Sequence, residues 1–181
     1  MPSDATRLPP DEDIARLIGI PAAVAAAIRA VESGPRPNPR AVRFECRLFN
    51  RDSRFHVPFT PPLGTKVETD RAAFEHAMTL DPATAVRSSS FGAFQTMGAH
   101  LLAVTGKGPV EALAAFDASP AKLSVAMLAH WVHGVPRFLE WANADPPDFM
   151  AIALRWNGKA SYAAKLKAAY DAYIAKWPER G

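Results

Sequence analysis

An alanine-rich run that ends abruptly constrains this chain more than any other feature. Between Pro21 and Val31, Ala22, Ala23, Ala25, Ala26, Ala27 and Ala30 are interrupted only by Val24, Ile28 and Arg29. Alanine costs a helix least of all residues, while Gly34-Pro35 cannot continue one, so the pattern predicts a helix from Pro21 to Glu32. Glu32 is the one carboxylate at its end. The helix dipole disfavours a negative charge at that position and tends to raise a carboxyl pKa.

Prolines divide the rest of the chain into short elements. Pro35, Pro37 and Pro39 fix φ and push their predecessors toward extended geometry, so no helix crosses them. Beyond them Val42, Phe44, Cys46 and Leu48 alternate with Arg43, Glu45 and Arg47. Period two predicts a strand here with Arg43, Glu45 and Arg47 on one face. Residues 55–66 carry Pro and Gly at short intervals and predict an irregular loop or hairpin.

Helical patterns dominate elsewhere. They run from Asp11 to Leu17, from a Thr69 cap to Leu80, and from Ser119-Pro120 to Gly134. Pro109, Pro136 and Pro146 mark further starts, and Leu166, Ala169, Tyr170 and Tyr173 give helical spacing within Tyr162–Trp177. The expected fold is mostly α (α+β), with a small extended or β element near residues 42–66. Residues 1–10 read as a flexible lead-in, and 11–178 as a single domain, for which 181 residues provide a sizeable core.

Composition narrows the partners. The single cysteine, Cys46, excludes an internal disulfide framework. No apolar run approaches the roughly twenty residues a membrane-spanning helix needs, so membrane insertion is not expected. Met1-Pro2-Ser3-Asp4 lacks a basic n-region and an apolar h-region, which predicts synthesis in the cytoplasm without a signal peptide. A net charge of +3 favours an anionic polymer, nucleic acid or cell wall, without choosing between them. The cations are scattered and not interleaved with aromatics, so nucleic acid is not an expected partner. A monomer is expected.

Few residues offer chemistry. His130 and His133 share a predicted helix face, but no carboxylate or thiol stands at metal-motif spacing, so no metal or other cofactor is expected. Ser88-Ser89-Ser90 lacks the spacing of a nucleophile elbow, and Gly106-Lys107-Gly108 reads as a turn. Glu32 is different, because a carboxyl held protonated near neutral pH can act as the general acid of glycoside cleavage. Ser90 to Gly98 reads as a helix start that places Gln95 among apolar neighbours, with Gly92 and Gly98 allowing close backbone approach. Arg155-Trp156-Asn157-Gly158 puts an aromatic and an amide where a helix breaks. Sugar sites use such parts, although a core amide and a core aromatic explain each residue singly.

Taken in order, these segments resemble a known pattern. Ala30-Val31-Glu32-Ser33-Gly34 is followed by Arg43-Phe44-Glu45 with Leu48-Phe49, and then by Ser89-Ser90-Phe91-Gly92-Ala93-Phe94-Gln95-Thr96-Met97-Gly98. Last come Arg155-Trp156-Asn157-Gly158, Tyr162, Lys165-Leu166 and Ala169-Tyr170. The series is similar to the lysozyme-like superfamily of goose-type lysozymes and soluble lytic transglycosylases. More closely it resembles the N-acetylmuramidase family of phage endolysins and bacterial genomes.

The resemblance implies a lysozyme-like fold that cleaves the β-1,4 bond between N-acetylmuramic acid and N-acetylglucosamine in peptidoglycan glycan strands. Glu32 would be the catalytic acid, with Glu45, Ser90, Gln95, Met97, Trp156, Asn157 and Tyr162 on the substrate. Glu45 is the candidate second carboxylate, and a structural ion pair with its arginine neighbours is the other reading of it. Two further activities are compatible: lytic transglycosylation to 1,6-anhydro products, or wall binding without catalysis. The second is suggested by Pro35-Arg36-Pro37, which stands where the family carries a longer glycine-rich stretch. The family also implies action on the cell wall after holin- or secretion-dependent release.

Overall fold

The computed structural model describes residues 5–34, 37–58 and 67–178. Its elements begin with α1 (Asp11–Ile18), α2 (Ala22–Ser33), β1 (Val42–Phe44), α3 (Cys46–Asp52), α4 (Val67–Leu80) and α5 (Pro82–Arg87). A hairpin of β2 (Ser89–Phe91) and β3 (Thr96–Met97) follows. Then come α6 (Gly98–Thr105), α7 (Pro109–Ala118), α8 (Pro120–Gly134), α9 (Phe138–Ala142), α10 (Phe149–Asn157) and α11 (Ser161–Lys176). The mostly α class with a small antiparallel sheet is as expected. Among the described residues no helix is long and apolar enough to cross a membrane.

The elements form two compact units. One comprises Asn38–Met127 with the residues before Pro9, and the other Pro9–Pro37 with Leu128 onward. The first is centred on the sheet, ordered β1-β2-β3 and antiparallel throughout. Val42 faces Phe91, Phe44 faces Ser89, and Ser90 faces Met97. Its core is a run of phenylalanine rings meeting at tilted or edge-on angles: Phe49 on Phe44, Phe44 on Phe74, Phe74 on Phe91, and Phe91 on Phe116. Such geometry matches each ring's positive edge to its neighbour's negative face.

The second unit is built around α2. Its small side chains from Ala23 to Ala27, with Ile28, are buried and allow α1 and α11 to pack closely on it. Ile14 and Ile18 of α1 and Leu166 of α11 are buried as well.

Several boundaries differ from the sequence expectation. The strand ends at Phe44, and Cys46 begins a helix that buries Cys46 and Phe49, so Arg43, Glu45 and Arg47 do not share a strand face. The alternation continued past Phe44 because a single buried turn of helix can mimic it over a few residues. Ser90 to Met97 is no helix start. It is the β2–β3 hairpin, and the helix begins only at Gly98. α4 starts at Val67, two residues before the expected Thr69 cap. α9 and α10 start at Phe138 and Phe149, two and three residues beyond the expected starts at Pro136 and Pro146. Of the irregular stretch expected at 55–66, residues 59–66 lie outside the described residues, as does most of the start of the expected lead-in. Within that lead-in, Ala5 accepts a backbone hydrogen bond from Ala121 N.

Candidate active site

Glu32 is the penultimate residue of α2. The helix stops after it because Gly34 turns out with φ 68° while its N–H still bonds Ala30 O at 2.9 Å. A positive φ is accessible there because glycine has no Cβ. α2 is tied to α1 near its C-terminal end. The Arg29 guanidinium grips the Asp11 carboxylate of α1 with two hydrogen bonds, 2.9 and 2.6 Å, and this pair is largely shielded from solvent. The Tyr173 hydroxyl of α11 donates to Glu12 of α1 at 3.1 Å, joining the two helices that pack on α2. The carboxylate is thus carried on a helix held from both sides.

Two donors meet on one oxygen of Glu32. Trp156 Nε1, from the last turn of α10, donates to Oε1 at 2.5 Å. The Tyr162 hydroxyl, from the first turn of α11, donates to the same oxygen. Gly158, with φ 72°, ends α10 between them and lets the chain turn into α11. All three side chains are half-buried. Burial first, and then the neighbouring Glu32 carboxylate, push the Tyr162 phenol well above the ordinary tyrosine value. It therefore remains a donor.

The indole of Trp156 is held from behind. Its ring lies 4.5 Å from that of Trp131 on α8 at an interplanar angle of 70°, and Trp131 stands nearly perpendicular to fully buried Phe138, 5.0 Å away. Trp131 and Phe138 carried no signal in the sequence, since an aromatic on an apolar helix reads as ordinary core. Asn157 is exposed.

The remaining candidates belong to the first unit. Ser90 Oγ donates to Gln95 Oε1 at 3.0 Å, and Gln95 Nε2 donates to Gly92 O at 2.9 Å. Both ends of the amide therefore bond within the hairpin. Gln95 adopts φ 49° in its loop, and Met97 is half-buried on β3. Gly92 is required at the start of that loop, because a Cβ there would come within 2.0 Å of Ser124 Oγ. Glu45 precedes the first residue of α3 without a side-chain capping bond, and pairs with Arg43 Nε at 3.2 Å. The structure thus joins Glu32 with Trp156 and Tyr162, and Ser90 with Gln95. His133 Nε2 contacts Ile18 O at 2.9 Å, and among the described residues no group of three His, Cys, Asp or Glu gathers to hold a metal.

This arrangement can fix the position of one carboxyl with two neutral donors. The comparisons place it in a family. The N-acetylmuramidase family model matches residues 21–174. No curated protein sequence matches the chain. A solved structure, that of a Burkholderia AP3 phage endolysin, aligns with a TM-score of 0.68 at 23% identity, covering 96% of this chain and 75% of that one. The likeness is one of fold. With the family model spanning most of its length, the chain belongs to the N-acetylmuramidase family and is, at that level, a glycosidase-type hydrolase of peptidoglycan.

Proposed function

We propose that Glu32 is the general acid that cleaves the β-1,4 bond between N-acetylmuramic acid and N-acetylglucosamine. The observation that carries this reading is the convergence of Trp156 Nε1 and Tyr162 OH on Glu32 Oε1. The two donors orient the carboxyl, which protonates the glycosidic oxygen as the bond breaks through an oxocarbenium-like transition state. Water then captures the muramyl carbon, so the products together gain one water. Trp156 and Tyr162 act through Glu32 in this scheme and not chiefly on the sugar. The enzyme meets its substrate at the wall, after release from the cell.

The test compares wild type with Glu32→Gln on purified sacculi. Gln keeps the shape and loses the transferable proton, so activity should fall by about 10²–10⁴-fold. Normal muralytic activity in the variant would overturn the assignment. Masses of the released muropeptides separate the products: fragments lighter by one water are 1,6-anhydro sugars, formed when the muramyl hydroxyl captures its own C1. Binding of wild type to sacculi with no soluble fragment released would leave only a wall-binding module.

A further inference from the structure

Trp156 sits at a helix end, half-exposed, and its hydrogen bond to Glu32 requires one orientation of the indole. α10 does not supply that orientation, because the helix ends one residue later and its cap, Gly158, has no side chain. The constraint comes from α8 and α9. Trp131 meets the Trp156 ring at 4.5 Å and 70°, and Phe138 meets Trp131 at 5.0 Å and 84°. Phe138 is fully buried, so the far end of this stack is immobile. Edge-to-face contact is directional: a ring turned out of it loses the match between positive edge and negative face.

The geometry points to Trp131 as a positioning residue, which holds the Trp156 indole so that Nε1 stays on Glu32 Oε1. This rests on Glu32 being the general acid. Trp131 acts through Trp156. Loss of its flat ring should therefore loosen the acid, leaving the glycan contacts that set KM in place.

The experiment is a double-mutant cycle on solubilised glycan strands, reading kcat and KM separately. Trp131→Leu, which keeps apolar volume but not the ring, should lower kcat by roughly threefold to tenfold with KM little changed. Trp131→Phe should restore most of it. In the Trp156→Phe background, where the donor is already absent, Trp131→Leu should cost nothing more. The proposal is overturned if Trp131→Leu leaves kcat unchanged, or if the two losses multiply as independent effects do. Should circular dichroism show Trp131→Leu to be unfolded, Phe138→Leu, which frees Trp131 from behind, replaces it in the same cycle. Glu32→Gln is run alongside. An active Glu32→Gln sinks the acid assignment, whereas an inactive one with an unaffected Trp131→Leu sinks only the positioning role.

Discussion

At Glu32 both named donors use the same oxygen, and this has a consequence for proton delivery. A carboxyl oxygen offers two lone-pair directions, and Trp156 and Tyr162 take those of Oε1. Under the proposed mechanism, the proton to be transferred then belongs on Oε2. Tyr162→Phe removes one donor and should lower kcat by about tenfold with little change in KM. A rise in KM at unchanged kcat would instead make Tyr162 a sugar contact, as the family resemblance implied. No spacing rule could have joined these residues, since Trp156 and Tyr162 lie 124 and 130 positions from Glu32. They were legible only as members of an ordered set of motifs, and their grip on the acid was not legible at all. Trp131 was invisible for a further reason, because its role passes through another aromatic.

At the scale of elements, helices with strong stops were readable. α2, α8 and α11 lie within a residue of their expected bounds and α7 starts at the expected Pro109, where alanine content, Pro at a first turn or Gly at an end dictate them. The β2–β3 hairpin was hidden because Ser89, Ser90 and Phe91 are all buried, and a strand buried on both faces shows no alternation. α5 shows how a small cap holds a short helix. Asp81 Oδ1 accepts the Thr84 N–H at 3.1 Å and Oδ2 accepts the Ser53 hydroxyl at 3.0 Å. The Thr84 amide, foremost among these, holds the Asp81 carboxyl below the usual range. Asp81→Ala should cost about 1 kcal/mol at neutral pH, read as a melting temperature lower by about 2–4 °C. A depressed folded pKa stabilises above the unfolded value, about 3.9, and the benefit is lost as pH falls through the folded one. The gap between wild type and Asp81→Ala should therefore narrow on acidification. A gap that stays constant down to the lowest pH at which both fold would contradict the charged cap.

For the molecule as a whole, the family and fold class were accessible because four unspecific motifs occur in order along one chain, and order is information that no single motif holds. What the motifs could not convey is how each unit fills its interior: a ladder of phenylalanines around a small sheet in one, and an alanine face admitting close helix neighbours in the other. Global stability also inherits a dependence from the phenol beside the acid. Because the folded Tyr162 holds its proton beyond the ordinary tyrosine value, near pH 10, alkali ionises that phenol first in unfolded chains. Its contribution to folding is whole below that value and drains away as pH climbs above it. Replacing Tyr162 with Phe should push the alkaline unfolding edge to higher pH, measured by melting at a series of pH values above about 9, and an unmoved edge would refute this. In alkali, then, the Tyr162 phenol resists ionisation inside the folded chain, and that resistance makes the fold progressively less stable above the ordinary tyrosine value.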